Sequence, residues 1–343
     1  MHLKSLVERR RQSEMNPQIP KRPLGNTGLS VSVLGFGASP LGGVFHDVDA
    51  EEGRAAVRMA FERYGINLFD TSPFYGDKRS EIALGRAIAD LPRSEIVVAT
   101  KVGRYGAETF DFSAERVTKS VDESLQRLGL EVIDLIQCHD MEFVDLDQIV
   151  NETLPALLEL KRQGKVRFVG ITGLPLKIFR DVLDRAPAGS VDCVLSYCHY
   201  TMLDDTLDGL IPYLQSKNVG IINASPLCMG LLTRRGPPSW HPAPQEVLDA
   251  AKRATAAADH RGLDIADVAL RYSLKNESIA TTLVGMCTRQ QVEENCKTAL
   301  LALGIDGGKG AECVEYQEVT GRIAEILQDV HNVTWHSGLP ENN

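Results

Sequence analysis

IVVATKVGRYGAETFDFSAERVTKSVDESLQRLGLEVIDLIQCH, residues 96–139, holds one complete repeat of the fold. It opens on a short run rich in Val and Ile that does not alternate with polar residues, the pattern of a strand buried on both faces. After a polar loop, Ser113 is a plausible N-cap, Val117, Val121, Leu125 and Leu128 recur on one helical face, and Gly129 ends the pattern. A second apolar run follows at 133–139. A strand, a crossover helix and a second buried strand form the unit of a parallel sheet.

The same alternation extends in both directions. Strand-like runs lie at 31–37, 66–71, 96–101, 133–139, 166–172, 191–197, 220–223 and 280–285, with amphipathic stretches between them. The stretch 147–160 repeats the helical pattern and stops at Gly164; Pro155 inside it predicts a kink or a broken first half. Eight units of roughly 30 residues predict an α/β fold closed into a (β/α)8 TIM barrel, with a doubly wound open sheet as the alternative. KRPLGNTGLSVS, residues 21–32, reads as a β-hairpin beneath the barrel, and about 310–330 as a C-terminal extra helix packed outside. A length of 343 residues allows two domains. No low-complexity linker divides the chain, so one domain over 21–335 is expected, after a polar leader (1–20) and before a short tail (336–343).

Several function classes recede on composition. The net charge of −9 and the single basic cluster, Arg9-Arg10-Arg11, argue against a nucleic-acid partner. No apolar run approaches the ~20 residues of a membrane span, and the N-terminus lacks the apolar stretch of a secretory signal. Seven cysteines, an odd number without a C-x-x-C pair, suit reduced thiols and a cytoplasmic location. No metal-ligand pattern and no G-x-S-x-G elbow occur, so no metal is expected.

Barrel enzymes work at the C-terminal ends of their strands. The second strand ends in Asp70-Thr-Ser-Pro-Phe-Tyr75-Gly, the third in Ala-Thr-Lys101 and the fourth in Gln-Cys-His139-Asp140. Singly, such residues are more often caps, packing or surface ion pairs; together on neighbouring strand ends they make a proton-transfer device. A phenol titrates near pH 10, so Tyr75 needs a neighbouring ammonium, Lys101, to lower it. Asp70 would neutralise Lys101, and His139 would orient a substrate oxygen.

GINLFDTSPFYG, VVATKVG and LIQCHD resemble the active-site segments of the aldo-keto reductase family, over about residues 22–300. The resemblance implies that Asp70, Tyr75, Lys101 and His139 are the catalytic tetrad. Further segments, among them GFGASPLGGVF, GITGLPL, LSYCHY and LVGMCTRQQVEENC, are similar to the sugar 1-dehydrogenases of that family. They imply a small-molecule sugar substrate, oxidised at C1 by hydride transfer, in a monomer or homodimer. The same fold and tetrad also occur in channel β-subunits that act as binding proteins.

Gly35-Phe-Gly37-Ala-Ser-Pro40 invites a dinucleotide-fingerprint reading, but Pro40 replaces the third glycine and no strand–helix–acid context follows. Gly285 followed by Thr288 and Gln291 at capping-box spacing opens a helix, which is either an anion site or an ordinary cap. The resemblance makes it part of the cofactor site. It adds Glu294 and Asn295 for the adenine, Thr172, Gly173 and Tyr197 beside the nicotinamide, and Ser225, Leu227 and Gly230 as further cofactor contacts. Only Arg289 is basic there, which implies NAD rather than NADP. Tyr197 stands where relatives carry Gln, and Ala224 where many carry an aromatic residue that stacks on the nicotinamide. Phe45, His46, Tyr105 and Trp240, with His199 and His241, are the candidate substrate contacts on loops over the rim.

Overall fold

Eight parallel strands close into a barrel in the computed structural model of the chain, which describes residues 17–44, 47–305 and 314–343. A two-stranded antiparallel hairpin, β1 (Lys21–Pro23) and β2 (Ser30–Ser32), precedes it. The barrel strands are β3 (Leu34–Gly37), β4 (Leu68–Asp70), β5 (Val97–Val102), β6 (Ile133–Cys138), β7 (Val166–Gly173), β8 (Cys193–Tyr197), β9 (Gly220–Ala224) and β10 (Thr281–Gly285), with β10 pairing β3 to close the ring. The expected run 31–37 is divided: residues up to Ser32 pair with the hairpin, and the Val33 amide donates to the Pro20 carbonyl at 2.9 Å before β3 enters the barrel.

The outer helices are α1 (Ala50–Tyr64), α2 (Arg79–Ile88), α3 (Ala114–Leu128), α4 (Leu154–Arg162), α5 (Lys177–Arg185), α6 (Ile211–Ser216), α7 (Gln245–His260), α8 (Ile265–Ser273), α9 (Arg289–Ala302) and α10 (Val314–Leu327). Ser113 caps α3 by accepting from the Arg116 amide, and Gly129 ends it in the left-handed conformation. The break expected near Pro155 is a π turn over Ile149–Thr153. Proline then falls in the first turn of α4, where its missing N–H costs no hydrogen bond.

Leu68, Val97, Ala99, Leu135, Leu195 and Ile222 fill the barrel, and Leu24, Leu29 and Val31 of the hairpin pack with them to seal the bottom. A larger apolar layer joins strands to helices, and α10 packs on α7 through Tyr316, Val319 and Ile323. Register places the site. Asp70 pairs with Ala99 and Lys101 with Gln137, and inward positions alternate along each strand. Asp70, Lys101 and Gln137 therefore point inward above the apolar filling.

Candidate active site

Lys101 is almost completely buried, and its Nζ lies 2.5 Å from Asp70 Oδ1 and 2.9 Å from the Thr71 carbonyl. Gln137 Nε2 donates to the other Asp70 oxygen at 3.0 Å, so both carboxylate oxygens have donors. Burial pushes the Lys101 ammonium down, but Asp70 and then Tyr75 outweigh it and leave it above its ordinary value. Burial pushes the Asp70 carboxyl upward, with Lys101 and Gln137 opposing the push.

Tyr75 projects from the loop after β4, with Lys101 Nζ 4.9 Å from its ring centroid and the His139 ring edge-on at 5.5 Å. Burial raises the phenol above its ordinary range; Lys101 opposes this, while Asp70 and Asp140 add to the rise. The expected lowering by Lys101 is present but does not win. His139 is neutral, held down to about 3 chiefly by burial. Its Nδ1 lies 3.0 Å from Ser72 Oγ, and that oxygen already accepts from the Phe74 amide at 3.1 Å. The arrangement that uses every group has the hydroxyl donating to Nδ1, which leaves the proton on Nε2, facing the mouth. A phenol and an imidazole N–H thus converge where a carbonyl or alcohol oxygen can sit.

Two glycines set the Tyr75 loop. Gly76 has φ +62°, and a Cβ on it would lie 2.0 Å from the Gly42 carbonyl oxygen; one on Gly42 would lie 2.7 Å from the Tyr75 carbonyl oxygen. Gly76→Ala is expected to cost about 2–3 kcal/mol in urea unfolding and to lower kcat by displacing Tyr75.

The aldo/keto reductase family profile matches residues 33–306. The chain belongs to the aldo/keto reductase family. It is 55% identical to L-galactose dehydrogenase of Arabidopsis thaliana over 95% of this chain and 99% of that one. It is 31% identical to D-arabinose 1-dehydrogenase of Saccharomyces cerevisiae over 83% and 87%. A solved aldo-keto reductase of Bacillus halodurans superposes with a TM-score of 0.71 at 26% identity, covering 93% of this chain and 99% of that one. The chain is therefore an oxidoreductase with a nicotinamide cofactor.

The expected cofactor residues of this aldo/keto reductase lie on several segments. After β9, Ser225, Cys228, Met229 and Gly230 all have positive φ, three of them non-glycine. Left-handed conformations clustered in this way are costly, and here they close a tight turn in which the Cys228 amide donates to the Ser225 carbonyl at 2.8 Å and the Gly230 amide to that of Leu227 at 3.1 Å. Thr172 accepts from the Asp140 amide, and a Cβ on Gly173 would press on Glu142 and Ile178. Tyr197 lies opposite Ala224 in the sheet register. At α9, Thr288 accepts from the Gln291 amide, whereas the Gln291 side chain accepts from Cys287, one residue earlier than a capping box requires. Arg289 is engaged: its amide and guanidinium both donate to Glu52 of α1, at 2.8 Å each at closest. The protein's own carboxylate thus stands at this helix start. Gly285, Glu294 and Asn295 lie along the same segment, with Glu294 accepting from Gln290. Gly37 serves barrel closure, because a Cβ there would meet the Val284 carbonyl at 3.0 Å.

The rim candidates divide. Phe45 and His46 lie outside the described residues. Tyr105 turns away from the mouth: its hydroxyl lies toward Ser120 of α3, and Arg116 covers its ring at 3.9 Å. Trp240 is 56% exposed and parallel to His241. His241 pins its loop, accepting from the Ala243 amide and donating to the Cys228 carbonyl. His199 is tied to Asp204 and Thr206.

Other mouth residues had no distinct sequence signal. Arg104 pairs with Asp140 beside His139. Glu142 is fully buried and held up to about 8, by burial first and then by Asp140. Its Oε1 accepts from the Leu174 amide and the Ser337 hydroxyl, its backbone carbonyl from the Leu339 amide and Asn342 Nδ2. Residues 337–342 are thereby bound at the rim. The described cysteines are buried and form no disulfide with one another. Among the described residues no helix is long and apolar enough to cross a membrane.

Proposed function

We propose that this aldo/keto reductase is an NAD-dependent sugar 1-dehydrogenase that oxidises L-galactose at C1 to L-galactonolactone, a step of ascorbate formation, in the cytoplasm. The observation that carries this reading is 55% identity over nearly the whole length of the Arabidopsis L-galactose dehydrogenase. D-arabinose or L-fucose is the alternative substrate, favoured by the likeness to the yeast D-arabinose 1-dehydrogenase.

Tyr75, Lys101, Asp70 and His139 perform the proton chemistry. His139 Nε2–H donates to the anomeric oxygen and fixes it against the Tyr75 hydroxyl position. The Tyr75 phenolate removes the O1 proton, and Lys101 stabilises that phenolate. Asp70 and Gln137 hold Lys101 in place. Bound NAD supplies the acceptor for the hydride that leaves C1.

Thr172, Gly173 and Tyr197 would hold the nicotinamide half, with Tyr197 offering the aromatic face that Ala224 lacks. Ser225, Leu227 and Gly230 would hold the phosphates. Gly285, Thr288, Gln291, Glu294 and Asn295 would line the adenosine half. The Glu52–Arg289 pair supports NAD, because Arg289, the basic side chain at this helix start, is already bound to a carboxylate.

A spectrophotometric screen of NAD and NADP reduction over L-galactose, L-fucose, D-arabinose and D-galactose tests the proposal. L-Galactose with NAD is expected to give the highest kcat/KM, with NADP at least about tenfold poorer, a difference of about 1.4 kcal/mol. No reduction with any of these sugars overturns the dehydrogenase reading, and an NADP preference overturns the cofactor assignment.

A further inference from the structure

We propose that Asp140 and Arg104 form the subsite that reads the substrate hydroxyl next to the carbon being oxidised. The inference rests on the sugar-dehydrogenase reading above and names residues within the same mouth.

Asp140 follows His139 directly, and its Oδ2 lies 3.7 Å from His139 Nε2. Nε2 is the atom that faces the reacting oxygen. Vicinal oxygens of a sugar are spaced about as far apart as two hydrogen-bonded oxygens, on the order of 3 Å. A pyranose whose O1 is bound by His139 therefore brings its O2 within reach of the Asp140 carboxylate. The backbone is shaped for this aim: Asp140 has φ +52°, and its amide is anchored on Thr172 Oγ1 at 3.0 Å. A non-glycine residue held in that region points to a local demand on its side chain. Only Oδ2 has polar partners among the described residues, Arg104 and His139. Oδ1 is left to accept from a ligand.

Arg104 completes the pair. Its guanidinium lies 4.1 Å from the Phe74 ring centroid, 5.2 Å from that of Phe110 and 5.3 Å from that of Phe143, and the last two rings stack at 4.5 Å. Phe74 also meets the edge of the His139 ring at 5.9 Å. The planar fork is thus fixed by aromatic faces beside the catalytic imidazole, with one arm on Asp140. Its two backbone contacts are long, to Gly106 at 3.5 Å and Ala107 at 3.4 Å. A fork and a carboxylate side by side offer a donor and an acceptor to one hydroxyl, whereas an aldehyde or alcohol without that hydroxyl leaves both unanswered.

The experiment compares kcat/KM for L-galactose and for its 2-deoxy analogue in the wild type, Asp140→Asn and Arg104→Lys, with NAD saturating. The wild type is expected to favour L-galactose by about 30-fold or more, the range of a hydrogen bond to a charged group. Each variant is expected to lose about 10- to 100-fold on L-galactose, chiefly through KM, and less than about threefold on the 2-deoxy sugar. A pair that merely braces the rim loops would lower both substrates alike, and that result overturns the inference. So does a wild type that oxidises both sugars equally. A wild type that oxidises no aldose at all removes the parent reading instead. Should Asp140→Asn fail to fold, Arg104→Lys alone carries the comparison, because the specificity ratio needs only one soluble variant.

Discussion

Tyr75→Phe is expected to lower kcat about a thousandfold while changing NAD affinity less than threefold, as read by steady-state kinetics and a fluorescence titration of the cofactor. The substitution removes one oxygen from a side chain wedged between Lys101 and His139, so packing persists and the proton acceptor is lost. A thousandfold loss corresponds to about 4 kcal/mol of barrier, within the range of general acid–base catalysis. The pH profile makes the test sharper. Burial holds the Tyr75 phenol above its ordinary range despite Lys101, so near neutrality most of it is protonated. Oxidation requires the phenolate, whose fraction grows as pH rises toward the phenol pKa. Log kcat/KM for oxidation should therefore climb with pH at a slope near one on the alkaline side of neutrality, and the reverse reduction should fall. The Phe variant should show neither limb. Residual turnover within about tenfold of wild type, or an unchanged pH profile, would remove Tyr75 from the proton-transfer step.

The barrel was legible because each strand is a compact apolar run and the helices between them carry caps and glycine stops, as at Ser113 and Gly129. The grouping of Asp70, Tyr75, Lys101 and His139 was legible for a related reason. Strand order makes the ends of β4, β5 and β6 neighbours, so residues far apart in sequence meet on one rim. Loops carry no such rule. Arg104 and Tyr105 are adjacent, and either is chemically suited to the mouth. Only the packing of Tyr105 beneath Arg116 and of Arg104 against Phe74 sends one outward and the other in. The Glu52–Arg289 pair spans 237 positions and joins two separate helices, and nothing periodic announces it. The docking of Ser337 and Asn342 on Glu142 is equally silent, since it depends on where the chain returns after α10. The direction of the Tyr75 shift was misjudged because sequence shows the cation but not how far burial outweighs it.

Lys101→Met is expected to abolish detectable oxidation and to destabilise the fold by about 3–5 kcal/mol, the cost of leaving a buried partner uncompensated. Methionine nearly matches the lysine stem in length, so the loss is of charge rather than of volume. Asp70 would keep only the Gln137 donor of its two. Burial already pushes this carboxyl upward, and without Lys101 nothing cationic opposes the push. Its folded-state pKa then exceeds the unfolded value. The variant should be most stable below the unfolded carboxyl pKa and lose stability as pH rises through the folded one. Urea midpoints at acidic and neutral pH measure this directly. Adding Asp70→Asn removes the stranded carboxylate, so the double variant should recover most of the stability at neutral pH and lose the pH dependence. It should recover no activity, because Tyr75 still lacks the ammonium that stabilises its phenolate. Were the double variant no more stable than Lys101→Met alone, the lysine would be holding the barrel mouth by some route other than its pairing with Asp70. Were activity restored with stability, Lys101 would serve the fold and not the phenol.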